Sequence, residues 1–86
     1  MYFVYLLYCE KTDEWYTGYT GKWPEDRLTE HNRKSNRGWT RGRQWTLMYY
    51  EAYPDMGAAK ARERSLKTDG RTKTRLIARL ERAGVI

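Results

Sequence analysis

The sequence has little cysteine and no long apolar segment, and each absence excludes a class of protein. Cys9 is the single cysteine among 86 residues, so an internal disulfide framework and a cysteine-rich zinc site are excluded. The longest apolar run, residues 1–9, is far shorter than the ~18 residues that a membrane span needs. No basic residue precedes this run and no small-residue cleavage site follows it, so we expect no signal peptide. We therefore predict a cytoplasmic protein without membrane contact.

The chain also lacks internal repeats, low-complexity tracts and linkers. Hydrophobic residues make up 40% of it and aromatic residues 15%, which is too much for a disordered basic tail. A chain of this size buries only about 60% of its unfolded surface, so its core must be compact. The sequence predicts one domain over residues 1–86.

What the chain has in excess is positive charge. Its 17 Lys and Arg residues against 11 Asp and Glu residues give a net charge of +6. Residues 1–57 hold eight basic and eight acidic side chains, whereas residues 58–86 hold nine basic and three acidic ones. A second basic cluster inside the neutral part contains Arg33, Lys34, Arg37, Arg41 and Arg43. Either cluster could be a solvated surface, but two in so short a chain favour nucleic acid as the partner.

The first twenty residues predict a β-hairpin. Residues 2–8 are aromatic and β-branched without helical spacing, and their apolar character on both parities indicates a central strand. Residues 15–20 form a second β-prone run after a polar turn. Gly18 inside this strand indicates a bulge, or a place where a backbone or a ligand comes close.

The remainder predicts one strand and three helices. The first helix covers 24–32, a loop covers 33–44, and the third strand covers 45–51. The second helix opens at Pro54 and Asp55 and ends at Gly70, and the third covers 72–83. The order β-β-α-β-α-α predicts an α+β fold, in which helices flank a three-stranded antiparallel sheet.

One carboxylate occupies an unexpected position on the second helix. Glu63 lies in the middle of an apolar stripe formed by Met56, Ala59 and Leu66. Because an unpaired buried carboxylate is costly, Glu63 must be paired, protonated or bound to a metal. A salt bridge, or a helix rotated so that Glu63 lies at the edge of the stripe, would also explain the pattern.

Two further pairs of residues suggest chemistry. Tyr5 and Tyr16 share one face of the hairpin if its loop has an even residue count, and ordinary cross-strand packing is the alternative. Arg27 and His31 lie on one face of the first helix, and surface positions are their alternative. With Glu63, these residues could form a site that cleaves phosphodiesters. A phenol would accept a proton or position a water, an arginine would stabilise the charge of the transition state, and a carboxylate would hold a divalent cation.

These residues resemble the GIY-YIG nuclease family, most closely its small stand-alone bacterial members (UPF0213-like). Phe3-Val4-Tyr5 stands for the first tripeptide, and Tyr16-Thr17-Gly18 follows after ten residues. The first motif retains only its tyrosine, and Thr17 replaces the usual isoleucine of the second. Further segments match as well: Thr20 with Arg27, Leu28, His31 and Asn32; Thr40-Arg41-Gly42-Arg43; and Ala59 with Arg62, Glu63, Leu66 and Lys67.

The resemblance implies a shallow site over the sheet with one Mg²⁺ or Mn²⁺ ion, held by Glu63. It implies catalytic roles for Tyr5, Tyr16, Arg27 and His31, and we favour Tyr16 as the base. The family match and the basic clusters together predict a set of residues that contact nucleic acid. These are Thr20, Arg41, Arg43, Lys67, Arg71, Arg75 and Arg79.

The leading hypothesis is a monomeric, metal-dependent endonuclease that acts on DNA in repair or processing. The alternative is a non-catalytic nucleic-acid-binding module, because Arg71, Arg75, Arg79 and Arg82 form one stripe on the third helix. A subunit that lends this domain to a larger repair complex is the third possibility.

Overall fold

The sheet places the two tyrosines predicted to be functional on its central strand and on an edge strand. A computed structural model describes residues 1–33 and 43–85. Its elements are β1 (Tyr2–Cys9), β2 (Glu14–Thr20), α1 (Pro24–Asn32), β3 (Thr46–Tyr53), α2 (Met56–Thr68) and α3 (Gly70–Arg82). Both strand pairs are antiparallel and the strand order is β2-β1-β3. The predicted α+β fold and the central position of the first strand are confirmed.

Side chains of β1 alternate between two buried layers, as expected for a strand that is covered on both faces. On one face, Val4 and Leu6 pack against α2 and α3 through Ala59, Leu66, Leu76 and Leu80. On the other face, Tyr5, Leu7 and Cys9 pack with Trp45, and Leu28 of α1 covers them. Cys9 is the last residue of β1 and is buried, in agreement with its interpretation as a small residue at a strand end.

The boundary between α2 and α3 differs from the sequence-based prediction. The pattern predicts that Gly70 ends α2, but Gly70 is the first residue of α3. Asp69 separates the helices, and its carboxylate accepts hydrogen bonds from the Arg71 amide at 3.0 Å and from Thr72 Oγ1 at 2.8 Å. Aspartate is a strong N-cap because it pairs amides that a helix start leaves unbonded. This cap starts α3 two residues earlier than predicted.

The third strand is also displaced from its prediction. It begins at Thr46, after the buried Trp45, and continues two residues beyond Glu51 to Tyr53. Within the described residues, no helix has both the length and the apolar content needed to cross a membrane.

A half-buried carboxylate on β3 attaches α2 to the sheet. Glu51 accepts two hydrogen bonds from the Arg62 guanidinium, at 2.9 and 3.0 Å, and one each from Tyr49 and Tyr53, both at 2.6 Å. Burial alone would raise the pKa of Glu51, but the hydrogen bonds from Arg62, Tyr49 and Tyr53 lower it below its ordinary value of 4.5. The ionised form therefore stabilises the fold.

Replacing Arg62 by methionine is expected to lower the free energy of unfolding by about 1.5–3 kcal/mol, since hydrogen bonds to a charged group are removed. In the wild type, the contribution of Glu51 is present above pH 4.5 and is lost as the pH falls through the lower pKa of the folded state. Urea unfolding between pH 3 and 7 measures both effects. The matched control is Arg64→Met on an exposed position of the same helix. An equal loss of stability in both variants would contradict this role of Glu51.

Candidate active site

Tyr5 lies at the centre of the candidate site because its ring extends from β1 over Gly18 of the neighbouring strand β2. It pairs with Gly18 in the register between β1 and β2, and its side chain is 1% exposed. A Cβ atom placed on Gly18 would lie 2.5 Å from Tyr5 Oη, a separation that real Cβ atoms do not show. The close approach at Gly18 is made by the Tyr5 side chain and not, as the sequence indicated, by a backbone or a ligand. Any larger residue at Gly18 would displace the Tyr5 ring.

The Tyr5 hydroxyl is joined to His31 of α1. Tyr5 Oη and His31 Nε2 are 2.9 Å apart, and His31 is 6% exposed. Burial, followed by the charge of Arg27, lowers the pKa of His31, so the imidazole is neutral near pH 7. Burial, and then the nearby Tyr16, raises the pKa of Tyr5. Tyr5 is therefore a protonated phenol at neutral pH, and it can donate a hydrogen bond to the neutral imidazole.

Tyr16 lies on the same face as Tyr5, as the parity of the hairpin predicts. The ring centroids of the two tyrosines are 6.2 Å apart. The Tyr16 ring also meets His31 edge-on at 4.8 Å and Trp45 edge-on at 6.2 Å. These ring contacts fix the side chain beside the Tyr5–His31 pair, at the edge strand of the sheet.

Arg27 comes from the same face of α1 as His31. One of its terminal nitrogens donates to Glu30, which also accepts from Lys22 at 2.6 Å. The hydrogen bonds from Lys22 and Arg27 lower the pKa of Glu30 to about 2, so the pair remains ionised. Burial would lower the pKa of Arg27, but its bonds to Glu30 and Tyr5 raise it. The Arg27 side chain is 39% exposed, so part of the guanidinium faces solvent.

Glu63 approaches the tyrosines from α2. Its side chain is 18% exposed, and one carboxylate oxygen is 3.6 Å from Lys67 Nζ one helical turn later. Lys67 Nζ in turn lies 5.8 Å from the centroid of the Tyr16 ring. The charge of Glu63 is close enough to Tyr5 to contribute to its raised pKa. The helix is rotated so that Glu63 lies at the edge of the stripe and is paired, while Met56, predicted to be part of that stripe, is 43% exposed.

Comparison with known proteins identifies the family. The model of the GIY-YIG catalytic domain matches residues 1–76. The chain belongs to the GIY-YIG family. A UPF0213 protein of Haloquadratum walsbyi is 35% identical over 78 residues, which are 90% of this chain and 85% of that protein. The solution NMR structure of a UPF0213 protein from Bacillus halodurans is 32% identical, with a TM-score of 0.55 over 91% of this chain and 84% of that one.

The donor set at Glu63 fits a single hard cation of the kind expected in a GIY-YIG site. Among the described residues, no group of three or more His, Cys, Asp or Glu side chains is placed to hold a metal ion. Mg²⁺ is commonly bound through only one or two carboxylates, with water and substrate phosphate as its other ligands. The half-buried carboxylate of Glu63 beside Tyr5 and Tyr16 meets that requirement.

The predicted nucleic-acid-binding residues of this GIY-YIG chain occupy several different places. Thr20 is 7% exposed and its hydroxyl accepts a hydrogen bond from the Lys22 amide at 3.0 Å, which gives it a structural role in the turn. Arg43 Nε donates to Glu14 at 2.7 Å. Arg71, Arg75 and Arg79 are exposed on α3, and Arg41 lies outside the described residues. Among the described members of this set, Lys67 is the one that lies beside Tyr16. Contacts of all seven residues with nucleic acid stay predictions.

Two residues near the site are absent from the sequence-based set. Glu30 orients Arg27, and the spacing of three residues between them on one helix was the available signal. Lys73 lines a cavity beside Tyr16 together with Lys67. No sequence pattern indicates Lys73, because it comes to the site from α3, whose packing on α2 only the folded chain reveals.

Proposed function

We propose that this GIY-YIG protein is a divalent-metal-dependent endonuclease that hydrolyses DNA phosphodiester bonds in repair or processing. The observation that carries the proposal is the Tyr5–His31 hydrogen bond at 2.9 Å, packed against Tyr16 and beside Arg27. Two side chains of the hairpin and two of α1, all with acid, base or anion-binding chemistry, thereby meet on one face of the sheet. We place the protein in the cytoplasm and as a monomer.

In the mechanism we propose, Tyr16 accepts the proton of the attacking water. Tyr16 would act as a phenolate in this step, and Lys67 Nζ, 5.8 Å from the centroid of its ring, places a positive charge beside it. Tyr5 is less suited to this step because burial raises its pKa. Tyr5 instead positions the water or the phosphate. In the tautomer in which His31 Nε2–H donates to Tyr5 Oη, the single phenol proton can donate to an oxygen of either one.

Arg27 stabilises the charge that develops on the phosphate oxygens. A guanidinium carries five N–H donors in a rigid fork, so donors remain after the bond to Glu30 is made. Glu63 would hold the divalent cation. When bound, such an ion supplies Lewis-acid polarisation of the scissile phosphate.

The test is a cleavage panel over linear, single-stranded, flap and branched DNA with Mg²⁺, with Mn²⁺ or with EDTA. We expect cleavage of at least one substrate with metal and none with EDTA. A Tyr16→Phe protein purified in the same way serves as the control for contaminating nucleases. Failure of the wild-type protein to cleave any substrate, or equal cleavage by Tyr16→Phe, would contradict the proposal.

The second candidate function is a non-catalytic nucleic-acid-binding module. The exposed positions of Arg71, Arg75 and Arg79 on α3 favour it, because basic side chains in a row can follow a phosphate backbone. If this stripe binds DNA, Arg75→Ala combined with Arg79→Ala lowers the salt dependence of affinity by about 0.9 for each phosphate that is no longer neutralised. Binding without metal-dependent cleavage in the panel would select this alternative.

A further inference from the structure

A cavity beside Tyr16 contains Lys73, a basic group that the proposed catalytic steps do not use. Its volume is about 300 Å³, and it lies between the edge strand β2 and the two C-terminal helices. The described residues that line it are Trp15, Tyr16, Thr17, Lys67 and Lys73. A cavity of this volume is at the lower end of the range for small-molecule sites, and it can hold a phosphate with its sugar.

The charge of this cavity is of one sign. Two lysines from different helices line it, and no acidic side chain is among its described lining residues. Lys67 has Glu63 as a neighbour at 3.6 Å, outside the cavity wall, whereas the described residues give Lys73 no ion pair. The two ammonium charges repel each other, and Glu63 faces only Lys67, so an anion that joins both lysines would be favourable.

The ammonium form of Lys73 is destabilised in the cavity, and no carboxylate of the described residues pairs with it. Its side chain is partly buried, unlike most lysines. Burial, and then the charge of Lys67, lowers the pKa of Lys73. A bound anion would offset both effects, because it supplies an opposite charge that favours the ammonium form.

Thr17 contributes a further unused polar group. It is 3% exposed, and its Oγ1 has no hydrogen-bond partner among the described residues. Buried hydroxyls are almost always bonded, so an unpaired one next to a cavity indicates a group that a ligand or an ordered water completes. Thr17 follows Tyr16 on β2, so its side chain points to the opposite face of the sheet, and the cavity at the edge of the sheet is lined by both residues.

We propose that Lys67, Lys73 and Thr17 form a subsite for a second phosphate of the nucleic-acid strand, next to the phosphate that is cleaved. That the ligand is a polynucleotide follows from the proposed function, on which this inference rests. The subsite would align the nucleic-acid strand across Tyr16, because two phosphates held at fixed positions define the path of the backbone between them. Lys73 is here a binding residue that the sequence pattern does not indicate.

The test measures binding in EDTA, where metal-dependent cleavage is absent. A fluorescent oligothymidylate of five nucleotides is titrated with the wild-type protein, with Lys73→Met and with the control Lys60→Met at several salt concentrations. Lys60 is exposed on the same helix as Lys67, two turns away, and its ammonium lies over the Tyr19 ring at 5.7 Å. Both substitutions remove one charge, so they differ only in position.

We expect Lys73→Met to weaken binding about tenfold, since charge-assisted hydrogen bonds are removed, and to lower the salt slope by about 0.7. Lys60→Met should have a clearly smaller effect on both. Lys73→Arg, which keeps the charge, should retain most of the affinity. In the wild-type protein, the oligonucleotide and inorganic phosphate should both shift the NMR amide signals of residues 15–17 and 67–73.

Equal effects of Lys73→Met and Lys60→Met would overturn the inference, as would unshifted amide signals at residues 15–17. The shift measurement uses the wild-type chain, so it decides the matter even if Lys73→Met does not fold. Binding through Lys73 without cleavage in the substrate panel would refute the nuclease proposal alone. Cleavage without any contribution from Lys73 to binding would refute the subsite alone.

Discussion

Substituting alanine for Gly18 is expected to reduce cleavage roughly 100-fold, because misplacing a reacting group by about 1 Å has an effect of that size. The added methyl group would lie 2.5 Å from Tyr5 Oη and 2.6 Å from Cζ, so the ring must move. Movement of the ring breaks the 2.9 Å hydrogen bond to His31 and changes the packing against Tyr16. Overpacking of this kind should also lower the free energy of unfolding by about 1–3 kcal/mol.

Gly21→Ala is the matched control for this substitution. A Cβ atom at Gly21 would have its nearest neighbour, Tyr2 Cε1, at 3.5 Å, which is an ordinary contact distance. We expect this variant to keep the wild-type cleavage rate and stability. Single-turnover cleavage and urea unfolding of the two variants are to be measured side by side. A Gly18→Ala protein that cleaves like the control would show that the position of Tyr5 does not matter for the reaction.

Arg27→Lys is expected to lower the single-turnover rate by about 10²–10³, as is typical when one donor to a developing anion is removed. Lysine keeps the positive charge and can still pair with Glu30, but it lacks the fork that contacts Glu30, Tyr5 and a phosphate at once. The decrease should therefore be in the chemical step and not in the affinity for DNA. Single-turnover kinetics at saturating protein separate the two quantities.

Arg64→Lys provides the control, because Arg64 is an exposed arginine on α2 and the same chemical change is made there. Its cleavage rate should equal that of the wild type. If Arg27→Lys also cleaves at the wild-type rate, charge alone suffices and the bidentate role assigned to Arg27 is wrong. If it weakens DNA binding without changing the rate at saturation, Arg27 is a binding residue only.

Much of this fold was predictable because local patterns determine it. Residues 2–8 are apolar on both parities, and this requires a strand covered on both faces. The parity of a short hairpin then places Tyr5 and Tyr16 on one face without any knowledge of the helices. Arg27 and His31 share a face through helical spacing alone.

The features that could not be predicted from the sequence depend on contacts between side chains of different helices and strands. Helical periodicity places Glu63 in the inward stripe, but it does not say which neighbour meets it. In the structure Arg62 turns towards Glu51 on β3, and Glu63 is paired with Lys67 beside Tyr16. Glycine is common just after a helix end, but the capping carboxylate of Asp69 makes Gly70 the first residue of α3.

The dependence of cleavage on Mg²⁺ concentration in Glu63→Gln tests whether Glu63 holds the metal ion that cleavage requires. Glutamine keeps the size of the side chain but removes the charge that would hold the cation. Glu81→Gln makes the same change at an exposed position on α3 and is the control. We predict that Glu63→Gln loses metal-dependent cleavage, while Glu81→Gln follows the wild-type Mg²⁺ curve. A Glu63→Gln protein with the wild-type rate and the wild-type Mg²⁺ curve would contradict the account.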